Sequence, residues 1–158
     1  MKSDKRVPQF CEHVQVSESA RTGPDPLLSA ALEDVGDRWS LLIVAGLLEG
    51  PARFGDLQAA LGGIAPNVLT QRLRRLQEAG LLGAELYSRR PPRMVYALTD
   101  AGRELAGPLR MLTDWESRRR GLGEGTRHEV CGTPLEARWW CPTCERAVED
   151  PGDELHRL

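Results

Sequence analysis

Hydrophobic residues recur at helical spacing through the first half of the chain. They predict an amphipathic helix from Pro26, a second and more buried helix over 39–48, and a short third helix over 55–61. Gly50-Pro51 ends the second helix, and residues 52–54 leave room for only a single bridging strand. Paired glycines at 62 and 63 then permit a tight reversal of the chain.

A fourth helix is predicted from Pro66 to the residues before Gly80. A proline suits the first turn of a helix, where its missing N–H costs nothing, and a glycine suits the position after the last turn. One side of this helix carries Leu69, Leu73 and Leu76, which we expect to face the core. The tight reversal between the third and fourth helices predicts a helix-turn-helix.

The hydrophobic period changes after this helix. Residues 82–87 alternate as in a half-buried strand, whose inner face is formed by Leu82, Ala84 and Leu86. A polar loop at 88–93 and a return strand at 94–98 complete a hairpin. Thr99 suits the N-cap of a last helix, which Gly107-Pro108 is expected to bend or break. This order of elements predicts a mainly α (α+β) fold, a winged helix-turn-helix.

Four segments are predicted along the chain. Residues 1–25 are polar and lack periodicity, so we expect a flexible N-terminal arm. Residues 26–118 form the winged helix-turn-helix domain, and residues 119–127 form a linker. Residues 128–158 form a separate C-terminal segment with an acidic tail.

Composition restricts the class of protein only loosely. The chain has 158 residues, and its 21 Lys+Arg against 23 Asp+Glu give a net charge of -2, which excludes a globally basic nucleic-acid binder. The longest apolar run, at 41–48, is far shorter than the roughly 20 residues that cross a bilayer. The basic N-terminus is followed by no apolar segment, so no signal peptide is visible. We therefore expect a cytoplasmic protein without membrane association.

The outer face of the fourth helix carries the side-chain types that read base edges. In a DNA major groove arginine pairs with guanine, and asparagine or glutamine pairs with adenine. The first turns of a recognition helix lie nearest to the bases. The leading base readers, beside Pro66 at the helix start, are therefore Asn67, Thr70 and Gln71. Arg74 and Arg75 are predicted to contact either bases or phosphates.

Positive charge is concentrated where this fold would meet DNA. Proline stiffens the loop between the two strands of the hairpin, which carries Arg89, Arg90 and Arg93. Residues 66–93 hold a net charge of +4 in a chain whose total is -2, so we predict that the loop contacts the phosphate backbone. Arg72, by contrast, is spaced toward the buried edge of its helix and is predicted to pair with a carboxylate.

The same stretch resembles the HxlR family of winged-helix transcription regulators, relatives of the MarR group. The resemblance covers about residues 26–116 and rests on DRWSLLIVAGLLEGPARFGDL, GGIAPNVLTQRLRRLQEAGLL and PPRMVYALTDAGREL. It implies a homodimer built from the first and last helices, with two recognition helices in successive major grooves and the wings on the flanking backbone. The operator would then be pseudo-palindromic, with half-sites roughly 34 Å apart.

Two positions depart from the family pattern. Ala65 stands where the family usually has a serine cap for the recognition helix, so a cap worth about 1 kcal/mol is missing. Asp25-Pro26 stands where many members carry a sensing cysteine. Cys11 lies well upstream, in the arm; a sensing role is one interpretation of this thiol, and an incidental thiol is the one that we favour. Thiol sensing through the usual cysteine is therefore not expected, and a small-molecule effector, if there is one, is not identified by the sequence.

The C-terminal segment has metal-ligand spacing. It reads His128-x2-Cys131-x9-Cys141-x2-Cys144, which is two pairs of the kind that hold a tetrahedral Zn²⁺. The segment is too short to fold on a hydrophobic core, so we expect the metal to supply its folding energy. Four protein ligands would leave no open position, which predicts a structural zinc-ribbon-like site and not a catalytic one.

Alternatives remain open for this segment and for the function. Cys11 or His13 from the arm can replace His128 as the fourth ligand. A redox-active pair at 141–144 lacks the expected βαβ context, and a disulfide is disfavoured in a cytoplasmic chain. The sequence favours a dimeric, sequence-specific DNA-binding regulator. A protein-interaction adaptor that uses the winged helix and zinc ribbon without DNA is the alternative, and no catalytic constellation indicates an enzyme.

Overall fold

The computed structural model of the chain describes residues 25–89, 92–123 and 125–148, with Arg89 and Pro92 described by their backbone alone. These residues divide into two compact units, one over 26–135 and one formed by Asp25 with 136–148. The predicted arm, with Cys11 and His13, and the acidic tail lie outside the described residues. Within the described ranges, no helix is both long and apolar enough to span a membrane.

The helices of the first unit follow the predicted order. They are α1 (Pro26–Val35), α2 (Arg38–Leu48), α3 (Phe54–Leu61), α4 (Pro66–Glu78), α5 (Asp100–Glu104) and α6 (Ala106–Arg119). Asp37 caps α2, and its carboxylate accepts hydrogen bonds from the backbone N–H groups of Trp39 and Ser40 at 3.0 and 3.2 Å. The predicted last helix is divided at Leu105, just before Gly107-Pro108.

Three antiparallel strands form the wing. They are β1 (Ala52–Arg53), β2 (Leu82–Arg89) and β3 (Pro92–Leu98), and β3 lies in the middle of the sheet. The β2–β3 register shifts between Leu86 and Ser88, which leaves Tyr87 as an extra residue on β2. The side chain of Leu86 is 50% exposed, so its predicted place on the inner face is wrong, because the alternating pattern carries no sign of how far the wing extends beyond the core.

The core lies between the helix-turn-helix and the sheet. Leu69, Leu73 and Leu76 of α4 are at most 1% exposed, as the leucine spacing predicted. They pack with residues of the other elements, namely Ile43, Val44, Leu47, Leu57, Ile64, Leu82 and Leu98. Burial of leucine-sized side chains stabilises a fold by about 2 kcal/mol each, so this cluster fixes the orientation of α4.

A tight joint connects the end of α4 and the start of β2 to the last helices of the domain. The Thr99 hydroxyl accepts a hydrogen bond from the N–H of Gly102 at 3.1 Å and donates one to the Gly80 carbonyl at 2.7 Å. A Cβ on Gly102 would lie 2.2 Å from the Leu81 carbonyl oxygen. Only glycine therefore allows α5 to approach the end of α4 and the start of β2 this closely.

The second unit contains one short hairpin. Its strands are β4 (Trp139–Cys141) and β5 (Arg146–Val148), paired antiparallel with Cys141 opposite Arg146. No residue in the described range 125–148 is buried, and Trp139 and Trp140 are 55% and 63% exposed. This part of the chain therefore has no hydrophobic core of its own.

Candidate nucleic-acid interface

Helix α4 has an exposed polar face opposite its buried leucines. Asn67, Thr70, Gln71 and Arg74 are all exposed, and their spacing of three and four residues places them in one stripe along the helix. Pro66 is exposed at the first position of the helix. The stripe predicted from the sequence is therefore present, directed away from the core.

Two members of this stripe have only local partners. The Arg74 side chain lies 2.8 Å from the carboxylate of Glu78, and both side chains are more than 60% exposed. Such a surface ion pair contributes at most about 1 kcal/mol. The Thr70 hydroxyl donates to the Pro66 carbonyl at 2.8 Å, so its oxygen keeps a lone pair for a further donor. Both side chains can thus exchange their partner for a base or phosphate at small cost.

Arg72 has the structural role that its spacing predicted. Its Nε donates to the Asp37 carboxylate at 2.9 Å, and the two side chains are 22% and 29% exposed. Burial raises the pKa of the Asp37 carboxyl, but hydrogen bonds from Ser40 and Arg72 and the charge of Arg72 outweigh burial, so the pKa lies below its ordinary value. The pair fastens α4 to the start of α2.

Arg75 lies at the edge of the stripe, toward α1. Its guanidinium donates a hydrogen bond to the backbone carbonyl of Glu33. This bond connects α4 to α1, so a DNA contact of Arg75 would have to share the guanidinium with that carbonyl. Among the predicted DNA-contacting residues that the structure describes, Arg75 is the one whose side chain is hydrogen-bonded to another helix.

The start of α4 has no side-chain cap. Ala65 occupies the N-cap position with extended backbone, and no side chain accepts a hydrogen bond from the first turn. The first N–H groups of a helix carry partial positive charge and favour an anion when they have no internal partner. The missing cap therefore leaves these amides available to a phosphate.

The wing carries the predicted arginines only in part within the described residues. Arg93 is exposed near the start of β3. The backbone of Arg89 ends β2, whereas its side chain and the whole of Arg90 lie outside the described residues. Of the three wing arginines predicted to contact the phosphate backbone, Arg93 is therefore the one whose side chain is described.

Arg53 and Tyr87 form a contact that the sequence did not predict. The Arg53 guanidinium lies over the Tyr87 ring, 4.6 Å from its centroid. The two residues are 34 positions apart, and β1 has only two residues, so periodicity gives no sign of the contact. The sequence did show an arginine at the end of the bridging strand, directly before the helix-turn-helix, and this position was the one sign that Arg53 could have a role.

The four predicted zinc ligands occupy two separate tight turns. His128 Nδ1 lies 3.3 Å from Cys131 Sγ, and the N–H of Gly132 donates to the His128 carbonyl at 2.7 Å. Hydrogen bonding with the side chain and backbone of Thr133, and with His128, lowers the pKa of the Cys131 thiol to about 7.

In the second unit, the N–H of Cys144 donates to Cys141 Sγ at 3.4 Å. Hydrogen bonds from Cys144 and Thr143 lower the pKa of the Cys141 thiol. Within residues 25–89, 92–123 and 125–148, no three His, Cys, Asp or Glu side chains form a group that would hold a metal ion. The structure thus describes each pair by itself.

A helix-turn-helix with an exposed polar second helix and an antiparallel wing defines the winged helix-turn-helix class of transcription regulators. The model of the HxlR-like helix-turn-helix family matches residues 34–122, which is more than half of the chain. The chain therefore belongs to the HxlR family, a family of transcription regulators and not of enzymes.

Relatives and solved structures agree with this assignment. An uncharacterized HTH-type transcriptional regulator of Mycobacterium tuberculosis is 41% identical over 122 residues, covering 75% of this chain and 77% of the relative. YtfH of Escherichia coli, also an HTH-type transcriptional regulator, is 37% identical over 84 residues, covering 53% of this chain and 67% of the relative.

Two structures share the fold. A crystal structure of the HTH-type regulator ytcD has a TM-score of 0.58 and 33% identity, covering 61% of this chain and 99% of the other. The redox regulator HypR in its reduced form has a TM-score of 0.57 and 26% identity, covering 61% of this chain and 95% of the other.

Proposed function

We propose that this protein is a transcription regulator that binds double-stranded DNA at a specific sequence, with α4 in the major groove and the wing on the phosphate backbone. The carrying observation is the exposed stripe of Asn67, Thr70, Gln71 and Arg74 opposite three buried leucines. Base readout needs hydrogen-bonding side chains on a helix whose orientation is fixed by its other face. Helix α4 has both properties.

Charge supports the same orientation. The Asp37 carboxylate is engaged by Arg72 at 2.9 Å on the inner side of α4, away from the stripe. Glu78 is the acidic residue beside the stripe, and it lies in the last turn of the helix. The first turns of α4 therefore present polar and uncapped backbone groups without a carboxylate of their own to repel phosphate.

The test compares two glutamines of the same helix. Gln71 lies in the stripe, whereas Gln77 is also exposed but lies in the last turn. On a fragment from upstream of its own coding sequence, we expect Gln71→Ala to weaken binding by about 5- to 150-fold, the range for removal of one bidentate pair with a base. We expect Gln77→Ala to bind as the wild type does, and Gln71→Ala to retain wild-type affinity for random duplex.

Footprinting of the wild type across the genome supplies the operator if the upstream fragment carries none. Absence of binding to any duplex at low salt would exclude the regulator and favour an adaptor that binds protein partners. Wild-type affinity of Gln71→Ala for the specific site would contradict base readout by Gln71.

We also propose that the protein acts as a homodimer joined through α1 and α6. Large apolar side chains on these helices are exposed, among them Leu32 at 55%, Leu112 at 51% and Trp115 at 55%. Contiguous exposed apolar surface on a soluble domain marks an interaction site. The first and last helices are those through which the HxlR resemblance implies pairing, so a second copy of the chain is the proposed occupant.

Light scattering coupled to gel filtration tests the dimer. We expect twice the 17.5 kDa chain mass for the wild type and a shift to monomer for Leu112→Glu. The control is Leu122→Glu, because Leu122 is 66% exposed but lies beyond the end of α6. A monomeric wild type at micromolar concentration, or a dimeric Leu112→Glu variant, contradicts this interface.

We further propose that the C-terminal segment binds one structural Zn²⁺ through His128, Cys131, Cys141 and Cys144. Each pair lies in a tight turn, and the residue after the second ligand has left-handed backbone: Gly132 has φ 69° and Glu145 has φ 50°. Among the described residues Glu145 is the one non-glycine with positive φ. Such strain persists where surrounding structure or a ligand over-determines the turn.

The lack of a core also supports metal binding. The described residues from 125 to 148 are all at least partly exposed, so apolar burial cannot hold this segment, whereas a bound ion can. The metal content of the purified full chain tests the proposal. We expect about one zinc per chain, less than a tenth of that for Cys141→Ser, and an unchanged content for Cys11→Ser. A metal-free wild type purified without chelator, or full zinc in Cys141→Ser, refutes it.

A further inference from the structure

A cleft lies at the base of the wing, between the start of α3 and the β2–β3 hairpin. Its volume is about 460 Å³, and two arginines, Arg53 and Arg93, line it together with Phe54, Gly55, Asp56, Tyr87, Met94 and Tyr96. Arg53 reaches the cleft from β1, where it is paired with Val95 of the central strand. Cations from two elements of the fold that are distant in sequence are thus brought to one opening.

The bulge in β2 gives Arg53 its position. Tyr87 is the residue that the register shift leaves without a partner on β3, and a bulge of this kind redirects a side chain. The redirected ring lies under the Arg53 guanidinium at 4.6 Å. Stacking restricts the rotamers of a long, flexible arginine, so the cation is held in place before any ligand arrives.

The cleft has an excess of positive charge. Asp56 is its acidic member, and its carboxylate already accepts a hydrogen bond from the backbone N–H of Arg53 at 3.3 Å. Within the described part of the chain, the ion pairs engage other arginines, and none engages Arg53 or Arg93. Two guanidinium groups against one carboxylate give the cleft a net positive charge, which suits the phosphodiester anions of a nucleic-acid backbone.

The place of the cleft in the motif indicates which anion it meets. In a helix-turn-helix the first helix crosses the DNA backbone while the second enters the major groove, and here α3 is the first helix. We propose that Arg53 and Arg93 each neutralise a backbone phosphate of bound DNA at this cleft, and that Tyr87 acts as a positioning residue for Arg53. This inference rests on the proposed function, because it requires that the protein binds duplex DNA.

A random-sequence 30-bp duplex is the appropriate probe, since phosphate contacts do not depend on base sequence. For each phosphate that the protein no longer neutralises, the slope of log affinity against log salt falls in magnitude by about 0.9. We expect Arg53→Gln and Arg93→Gln each to lower the slope by about this amount, so that the decrease in affinity between 50 and 200 mM salt becomes about 3.5-fold smaller. Arg103→Gln, whose partner is Asp100 on α5, is the matched control and keeps the wild-type slope.

A double-mutant cycle tests the role of Tyr87. Tyr87→Ala is expected to weaken binding several-fold in the wild-type background and to have no further effect in Arg53→Gln, because the arginine that it positions is gone. Tyr87→Phe retains the ring and should bind as the wild type does. Far-UV circular dichroism of every variant verifies that the fold is retained.

The outcomes separate this inference from the proposed function. If the wild type binds duplex DNA and the slopes of both arginine variants equal that of Arg103→Gln, the cleft is not a phosphate site, and the proposed function stands. If Tyr87→Ala weakens binding equally in both backgrounds, Tyr87 does not act through Arg53. If the wild type binds no duplex at 50 mM salt, the proposed function fails and the cleft assignment fails with it.

Discussion

Replacing Asp37 with alanine removes one carboxylate that connects three parts of the domain. The carboxylate caps α2 through the N–H groups of Trp39 and Ser40. It also accepts a hydrogen bond from the hydroxyl of Ser40, which is fully buried. In addition, it forms an ion pair with Arg72 of α4 at 2.9 Å. The same substitution therefore removes a helix cap, leaves a buried hydroxyl without its acceptor and releases α4 from α2.

The expected loss of stability follows from these three interactions. A missing cap costs about 1 kcal/mol, a buried hydroxyl without its partner about 1–3 kcal/mol, and a broken, partly exposed ion pair at most about 1 kcal/mol. We expect Asp37→Ala to lower the free energy of unfolding by about 3 kcal/mol. In a chain of this size that shifts the melting temperature by roughly 10 °C.

Urea denaturation followed by far-UV circular dichroism measures this change, at one fixed protein concentration. Asp37→Asn retains a good cap but not the charge, so we expect a loss of about 1 kcal/mol. Glu78→Ala removes the exposed pair with Arg74 and should change stability by no more than about 0.5 kcal/mol. A loss for Asp37→Ala no larger than that for Glu78→Ala would refute the reasoning.

The same residue gives a pH dependence. The pKa of Asp37 in the folded protein lies below its ordinary value of 3.8, so the ionised form is favoured by folding. Its contribution is complete at neutral pH and is lost as the pH falls from the ordinary pKa through the lower folded value. The stability difference between wild type and Asp37→Asn should therefore shrink below about pH 4, and a difference that grows on acidification contradicts the assigned direction.

Three other positions give sharp expectations. Ala65→Ser adds the cap that α4 lacks and should raise the free energy of unfolding by about 1 kcal/mol in urea; no gain would mean that the first turn already has a partner. Leu73→Ala empties a site that is 1% exposed and should cost about 2–5 kcal/mol, whereas Leu86→Ala, at a site 50% exposed, should cost less than about 1 kcal/mol. Hydrogen bonds from Arg119, and then from Arg120, lower the pKa of Glu116 to about 2. An NMR titration of the Glu116 carboxyl should show this value and a higher one in Arg119→Ala, and an ordinary pKa in the wild type would exclude the bonds.

The helices and core were predictable because their signals are local. The spacing of Leu69, Leu73 and Leu76 predicted both the helix and its buried side. The exposed stripe was then predicted on the opposite side of the same helix. Gly80 indicated where α4 ends and Thr99 where the last helical segment begins, because capping chemistry extends over only a few residues. The resemblance to the HxlR family added the class of protein, which periodicity alone does not provide.

The contacts that the sequence left undetermined join residues distant along the chain. Arg72 was expected to find a carboxylate, but nothing in the helix pattern identified Asp37, which is 35 positions away. The stacking of Arg53 on Tyr87 depends on a one-residue register shift, and alternation predicts the regular strand, not its interruption. Leu86 was expected inside and is half exposed, because alternation gives no sign of how far the wing extends beyond the core.

The joint at Gly102 would have a consequence for the spacing of DNA half-sites if the proposed dimer binds a two-part operator. Thr99 bonds to Gly80 and Gly102 lies against the Leu81 carbonyl, so the end of α4 and the start of α5 are in direct contact. In the dimer proposed through α1 and α6, this contact would limit changes in the distance and angle between the two α4 helices. One inserted base pair displaces a half-site by about 3.4 Å and rotates it by about 34°, and a stiff joint cannot follow. Such a dimer would discriminate operators by their spacer length as well as by their bases.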